Sequence, residues 1–167
     1  MGRMSHKSLI FISGCLWIAV GMFLLPRGLK LLVAGSVPAR YFDPLPYPLL
    51  DYLSPMVGGI ETAAVIIIAV ALVIGYLKAR FVLSKTVKRV VTRVLSLPNP
   101  VAFTAIYGKG YLLLIASMMG LGFVIRYTGV PDDVRGLINV AIGSALINGG
   151  LIYLRCGFDM KKAETLI

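Results

Sequence analysis

From Gly58 to Leu77 the chain runs twenty residues with a single charge, Glu61, and this stretch rules out most folds. Hydrocarbon offers a bare peptide group no partner, so the chain crosses it only as a structure that satisfies its own backbone. A helix of roughly 20 apolar residues matches a bilayer core about 30 Å thick. Three further stretches have the same character: Leu9 to Leu25, Gly110 to Ile125 with the next turn, and Leu137 to Leu154. With 58% of the 167 residues hydrophobic and only 14% charged, the composition is not that of a soluble domain. The expected fold is an all-α membrane protein of four transmembrane helices.

The first stretch follows Arg3 and Lys7, as a secretory leader would, yet "LLPRGLKLL" carries no small-residue cleavage pattern, so it is read as a retained helix. Cationic loops resist translocation, and the distribution of Lys and Arg sets orientation. If four helices alternate, Arg3, Lys7, the cations between Lys78 and Arg93, Lys109, Arg155, Lys161 and Lys162 fall on one side. Arg27, Lys30, Arg40, Arg126 and Arg135 fall on the other, offset by Asp43, Asp51, Glu61, Asp132 and Asp133. Both termini are therefore expected in the cytoplasm, with the protein in a bacterial inner membrane. The net charge of +10 belongs mostly to the cytoplasmic face and needs no nucleic-acid partner.

Between the second and third apolar runs, Leu83, Val87, Val90, Val94 and Leu97 recur at helical spacing, with Lys85, Lys88, Arg89 and Arg93 opposite them. This pattern predicts an interfacial amphipathic helix over about 82–97, stopped by "LPNP", with the four cations binding anionic lipid headgroups. The same charges also suffice as a topology signal alone. The helix joins two similar halves, about 8–81 and 107–158, followed by a tail at 159–167. "GYLKARF" at Gly75 echoes "IYLRCGF" at Ile152, and Arg27 and Arg126 end the first helix of each half. If the likeness is a duplication rather than shared membrane composition, the halves are two parallel helical hairpins about an axis along the membrane normal. The first hairpin connection is long; Pro44, Pro46 and Pro48 favour an extended or polyproline-like path there. It is read as either a cover at the headgroup zone, through Tyr41, Phe42, Tyr47 and Tyr52, or a binding lid.

Ionisable groups near hydrocarbon are costly, which makes Arg27, Glu61, Arg126, Asp132, Asp133 and Arg135 candidates on the outer side. They fit either an ion-pair lattice between helix ends or an entry site for an anion. Asn139, Ser144 and Asn148 lie among Gly136, Gly143, Gly149 and Gly150. That pattern serves close helix packing, and a polar pathway along Asn139 and Asn148 is the alternative. Cys15 and Cys156 stand alone and His6 is the single histidine, so neither a metal nor a cofactor is expected. No sequence motif for a catalytic nucleophile, metal hydrolase or phosphate-cradling loop is present, and no enzyme is expected.

The segments "GYLKARFVLSKTVKRVVTR", "YGKGYLLLIASMMGLGFVIRYTGVPDDVRGLINVAIGSALINGGLIYLR" and "LWIAVGMFL" resemble a family of small uncharacterised bacterial four-helix inner-membrane proteins, a domain of unknown function. The resemblance implies a third helix ending near Arg126, a short turn at Pro131 and a Gly-rich fourth helix, and it singles out Arg93, Tyr111, Gly122, Gly143 and Tyr153. It implies no activity, and the long first loop departs from the pattern. A weaker likeness, through "MFLLPRGLKLL" and the Glu61 helix, is to DoxX-type membrane proteins, a group linked to quinone and thiol redox partners. The basic helix fits that group poorly.

These readings lead to a homo-oligomeric transporter or channel for an anion or an anionic lipid headgroup. Arg27, Glu61, Arg126, Asp132, Arg135, Asn139 and Asn148 would contact the substrate, and membrane lipids would be the partners at the basic helix. The alternative is a non-transporting scaffold or a lipid- or partner-binding subunit.

Overall fold

A computed structural model describes residues 3–36, 47–98, 101–102, 120, 124 and 127–158. Its helices are α1 (His6–Ser36), α2 (Pro48–Val57), α3 (Ile60–Lys78), α4 (Ser84–Leu95) and α5 (Asp132–Phe158). A π-helical segment, Ala79–Leu83, carries α3 into α4 without interruption. The one extended pairing among the described residues sets β1 (Arg3–Met4) antiparallel to β2 (Val101–Ala102). Three helical stretches are long and apolar enough to cross a bilayer: His6–Ser36, Ile60–Leu95 and Asp132–Phe158. Of the predicted span from Gly110 to Ile125, Gly120 and Val124 are described, both helical; the rest lies outside the described residues.

Several boundaries differ from the sequence expectation. α1 continues past Leu25 and through Pro26 to Ser36. Proline removes one backbone hydrogen bond, but the turns beyond it bury Gly28, Leu32 and Gly35, which holds the helix together. The proline-rich connection is not extended throughout, because its second part folds into α2. Pro48 takes the first helical position, where its missing N–H costs nothing, and Gly58 closes the helix at φ 83°, a left-handed conformation that favours glycine. Of the aromatics expected at the headgroup zone, Tyr47 is buried instead, while Tyr52 on the far face of α2 is exposed.

The seam between α1 and α5 organises the bundle. On α1, Gly14, Gly21, Gly28 and Gly35 stand seven residues apart; on α5, Gly136, Gly143, Gly150 and Gly157 do the same. The helices run antiparallel, and three rungs meet glycine to glycine. A methyl group added at Gly14 would lie 3.0 Å from the Gly150 carbonyl oxygen, one at Gly21 2.7 Å from that of Gly143, and one at Gly28 2.7 Å from that of Gly136. Lipid tails are as apolar as leucine, so burying apolar surface gives little drive inside a bilayer. Close backbone approach supplies dispersion and Cα–H contacts to carbonyl oxygens instead. α3 joins α5 in the same way: a methyl at Gly75 would lie 2.5 Å from the Ala141 carbonyl oxygen and 2.8 Å from the Ser144 Cβ.

Two apolar clusters close the two ends. At one, Leu32 of α1, Leu50 of α2, Ala63, Ala64, Ile67 and Ala71 of α3, and Val140 and Ala141 of α5 pack around Tyr47. At the other, Leu9 and Ile10 of α1 meet Val87, Val91 and Val94 of α4 and Tyr153 and Cys156 of α5. α1 thus runs against α3 and α5, which are parallel to each other. α4 finishes at the end where α1 begins, whereas α5 begins at the opposite end.

The second cluster corrects the expectation for the basic helix. Val87 and Val94 of its predicted stripe, together with Val91, are at most 2% exposed and packed on α1 and α5 rather than open to headgroups, while Leu83, Val90 and Leu97 are half-buried. Valine on a helix face packs equally well on protein or on lipid, and here the first turns of α1 and the last turns of α5 supply the protein.

Candidate membrane-surface interface

Among the described residues, the end of the bundle bounded by α4 is a one-sign surface. With its apolar stripe spent on α1 and α5, α4 turns four side chains outward, and every exposed residue of Ser84–Leu95 is a cation: Lys85, Lys88, Arg89 and Arg93. Lys78 and Arg80 continue the run towards α3, Lys7 projects from the first turn of α1, and Arg155 from the last turn of α5. All eight are exposed, and no carboxylate among the described residues shares this end. Lys85, Arg89 and Arg93 follow one another at four-residue steps, about 6 Å each along the axis. Like charges at that spacing cost a helix about 0.2–0.5 kcal/mol per pair, and no acidic neighbour among the described residues offsets them.

The surface is braced by polar contacts as well as by the valines. His6 Nε2 lies 3.0 Å from the Leu97 carbonyl oxygen, and because that oxygen only accepts, the ring nitrogen is the donor. The pairing of β1 with β2 ties the chain before α1 to the chain after α4 at the same place. Arg80 Nη1 donates to the Tyr76 hydroxyl at 3.2 Å across the junction with the π-helical segment. Trp17 and Tyr153 pack edge to face at 5.5 Å between ring centroids behind α4.

The opposite end holds every described carboxylate: Asp51, Glu61, Asp132 and Asp133. Here the predicted lattice resolves into separate local tasks. Asp132 pairs with Arg135 one turn on in α5, at 2.5 Å. Asp133, fully buried, faces α2 instead: its Oδ2 accepts from the backbone N–H of Leu49 at 2.7 Å and of Leu50 at 3.2 Å, and its Oδ1 from Val134 N–H at 2.8 Å. It therefore caps the first turn of a helix more than eighty residues earlier in the chain. Arg27 is exposed, with its guanidinium 5.8 Å from the Phe23 ring centroid. Glu61 is exposed in the first turn of α3, the end where a carboxylate favours the helix dipole. Arg126 lies outside the described residues.

The amides of α5 are half-buried. Asn148 Nδ2 donates to the Ser144 carbonyl oxygen of its own helix at 2.9 Å. Asn139 sits beside the Gly28 rung, where an added methyl would lie 2.8 Å from its Cβ. Asp132 and Arg135 are therefore in contact, Asn139 lies in the α1–α5 seam, and Arg27 and Glu61 stand apart. The proposed repeat partners Tyr76 and Tyr153 occupy unlike places, 48% and 0% exposed.

Two features escape the sequence reading. One is the α1 glycine series, whose seven-residue spacing is plain once it is compared with the same spacing in α5. The other is the Asp133 cap, which has no local signature because its donors lie in a distant segment.

Comparison with known proteins gives no match: no family model, curated protein or solved structure is similar to the chain. The family resemblances drawn from the sequence rest on their quoted residues alone.

Proposed function

We propose that the protein is a four-helix integral membrane protein that works as a non-transporting scaffold or lipid-organising subunit, binding anionic headgroups at its basic end on the cytoplasmic face. The observation that carries this reading is the cationic end, with eight exposed cations and no described carboxylate beside them. Each cation at an anionic surface contributes about 1 kcal/mol of attraction, and the cytoplasmic leaflet is the anionic one. A fourth span between α4 and α5 fits the same reading. α4 ends on the basic side, α5 starts on the other, and Gly110 to Ile125 is the apolar run between them.

Transport of an anion or an anionic headgroup by a homo-oligomer is the second reading. The exposed Arg27 and Glu61 at the acidic end favour it. Against it, Asp133 and Asn148 are bound to backbone groups, Arg135 is held by Asp132, and glycine contacts close the α1–α5 seam.

The test compares wild type with a variant carrying glutamine at Lys85, Lys88, Arg89 and Arg93. The readouts are retention of anionic against zwitterionic lipid on the solubilised protein, and anion flux in liposomes. Selective retention that the variant loses, without flux, is the expected result. Equal retention of both lipids rejects the lipid-binding role, and flux abolished by Arg27→Ala or Arg126→Ala establishes transport.

A further inference from the structure

The way α4 is packed limits how it meets a membrane. An amphipathic helix ordinarily binds by sinking its apolar face among acyl chains, with its cations adding attraction. Here that face is occupied by Leu9, Ile10, Tyr153 and Cys156, and the exposed residues are cations only. The open face of Ser84–Leu95 therefore offers headgroups cations and no exposed apolar side chain to insert.

The cations are also ordered. Lys85, Arg89 and Arg93 form a row along one side of α4, Lys88 flanks it, and no acidic side chain of the helix competes for them. Arginine's planar fork donates paired N–H groups to the oxygens of a single phosphate, whereas lysine acts as a point charge. Two such forks one helical turn apart match two phosphates held at a similar separation. A headgroup carrying both phosphates brings the second to its fork at high effective concentration once the first is bound, an advantage that separate monoanionic lipids lack.

We propose that the Lys85–Arg89–Arg93 row binds a lipid headgroup bearing two or more phosphates, in preference to a surface of equal charge made of singly charged headgroups. This deepens the lipid-binding reading above and rests on it.

The full-length protein is reconstituted in nanodiscs of zwitterionic lipid containing either a two-phosphate lipid or a charge-matched amount of a monoanionic lipid. Retention of each lipid per protein is measured after solubilisation. Wild type is expected to retain the two-phosphate lipid roughly tenfold better, the gain that one further hydrogen bond between charged groups supplies. Replacing both arginines by lysine, Arg89→Lys with Arg93→Lys, preserves the charge at exposed positions and is expected to reduce retention to the monoanionic level. Equal retention of the two lipids by wild type, both above zwitterionic background, overturns the two-phosphate preference while leaving lipid binding standing. Retention of neither above background overturns both. A preference that survives in the double-lysine variant also overturns the assignment. So does inorganic pyrophosphate binding the solubilised protein as tightly as the lipid, since a free phosphate would then be the ligand.

Discussion

Glycines in the α1–α5 seam and the buried Asp133 carboxylate fix where the helices meet. At Gly21 there is no room for a methyl group on either the Gly143 carbonyl or the Ile147 side, both 2.7 Å away. Gly21→Leu is expected to lower stability by about 1–3 kcal/mol or more, since overpacking forces two backbones apart. Ala19→Leu, two residues away on the exposed face of α1, should leave the melting temperature in detergent nearly unchanged. Asp133 makes a separate prediction. Asp133→Ala leaves the Leu49 and Leu50 N–H groups without their acceptor, a loss of about 0.5–2 kcal/mol typical of a missing cap. Asparagine keeps one oxygen for those donors but turns its amide towards Val134 N–H, so its effect should be intermediate. Faster hydrogen exchange at Leu49 and Leu50, with the α1–α5 seam still protected, is the signature that checks both.

At the scale of elements, α4 shows what periodicity conveys. Its two faces are legible in the sequence: the four cations predicted to point outward are its exposed residues, and Val87 and Val94 of the predicted stripe are buried. What covers the apolar face was not legible, because valine carries no mark distinguishing a lipid neighbour from a helix neighbour. Burying one valine side chain is worth about 1.5–3 kcal/mol where water is the alternative. Val91→Ser is therefore expected to loosen α4 from α1 and α5, raising hydrogen exchange across residues 84–95 while α1 and α5 remain paired. α2 shows the converse: its prolines point away from a helix, yet Pro48 begins one and Leu50 anchors it in the core.

On the scale of the whole molecule, the described carboxylates all lie at one end, where Arg27, Lys30 and Arg135 accompany them, while the other end carries eight exposed cations with no described carboxylate. If the positive end faces the cytoplasm, cysteines placed at Lys88 and at Glu61 in a Cys15→Ser background will be labelled from opposite sides of the membrane, Lys88→Cys from the cytoplasm. Labelling of both from the same side would contradict the spanning arrangement. Native Cys156 is buried and should contribute little background.

The sequence by itself determined that the chain carries helices apolar and long enough to cross a bilayer, three of which the structure shows, and which connecting stretches are positive. These follow from the cost of exposing peptide groups and charges to hydrocarbon, a cost each segment bears alone. Only the tertiary structure decided which helix faces meet, that α4 docks on protein, and that Asp133 serves α2. The physical reason is that lipid tails and apolar side chains are nearly equivalent surroundings for leucine or valine, so apolarity does not point to a partner. Partners are chosen by close approach and by single polar groups. Two glycine series more than a hundred residues apart acquire meaning only when folded against each other.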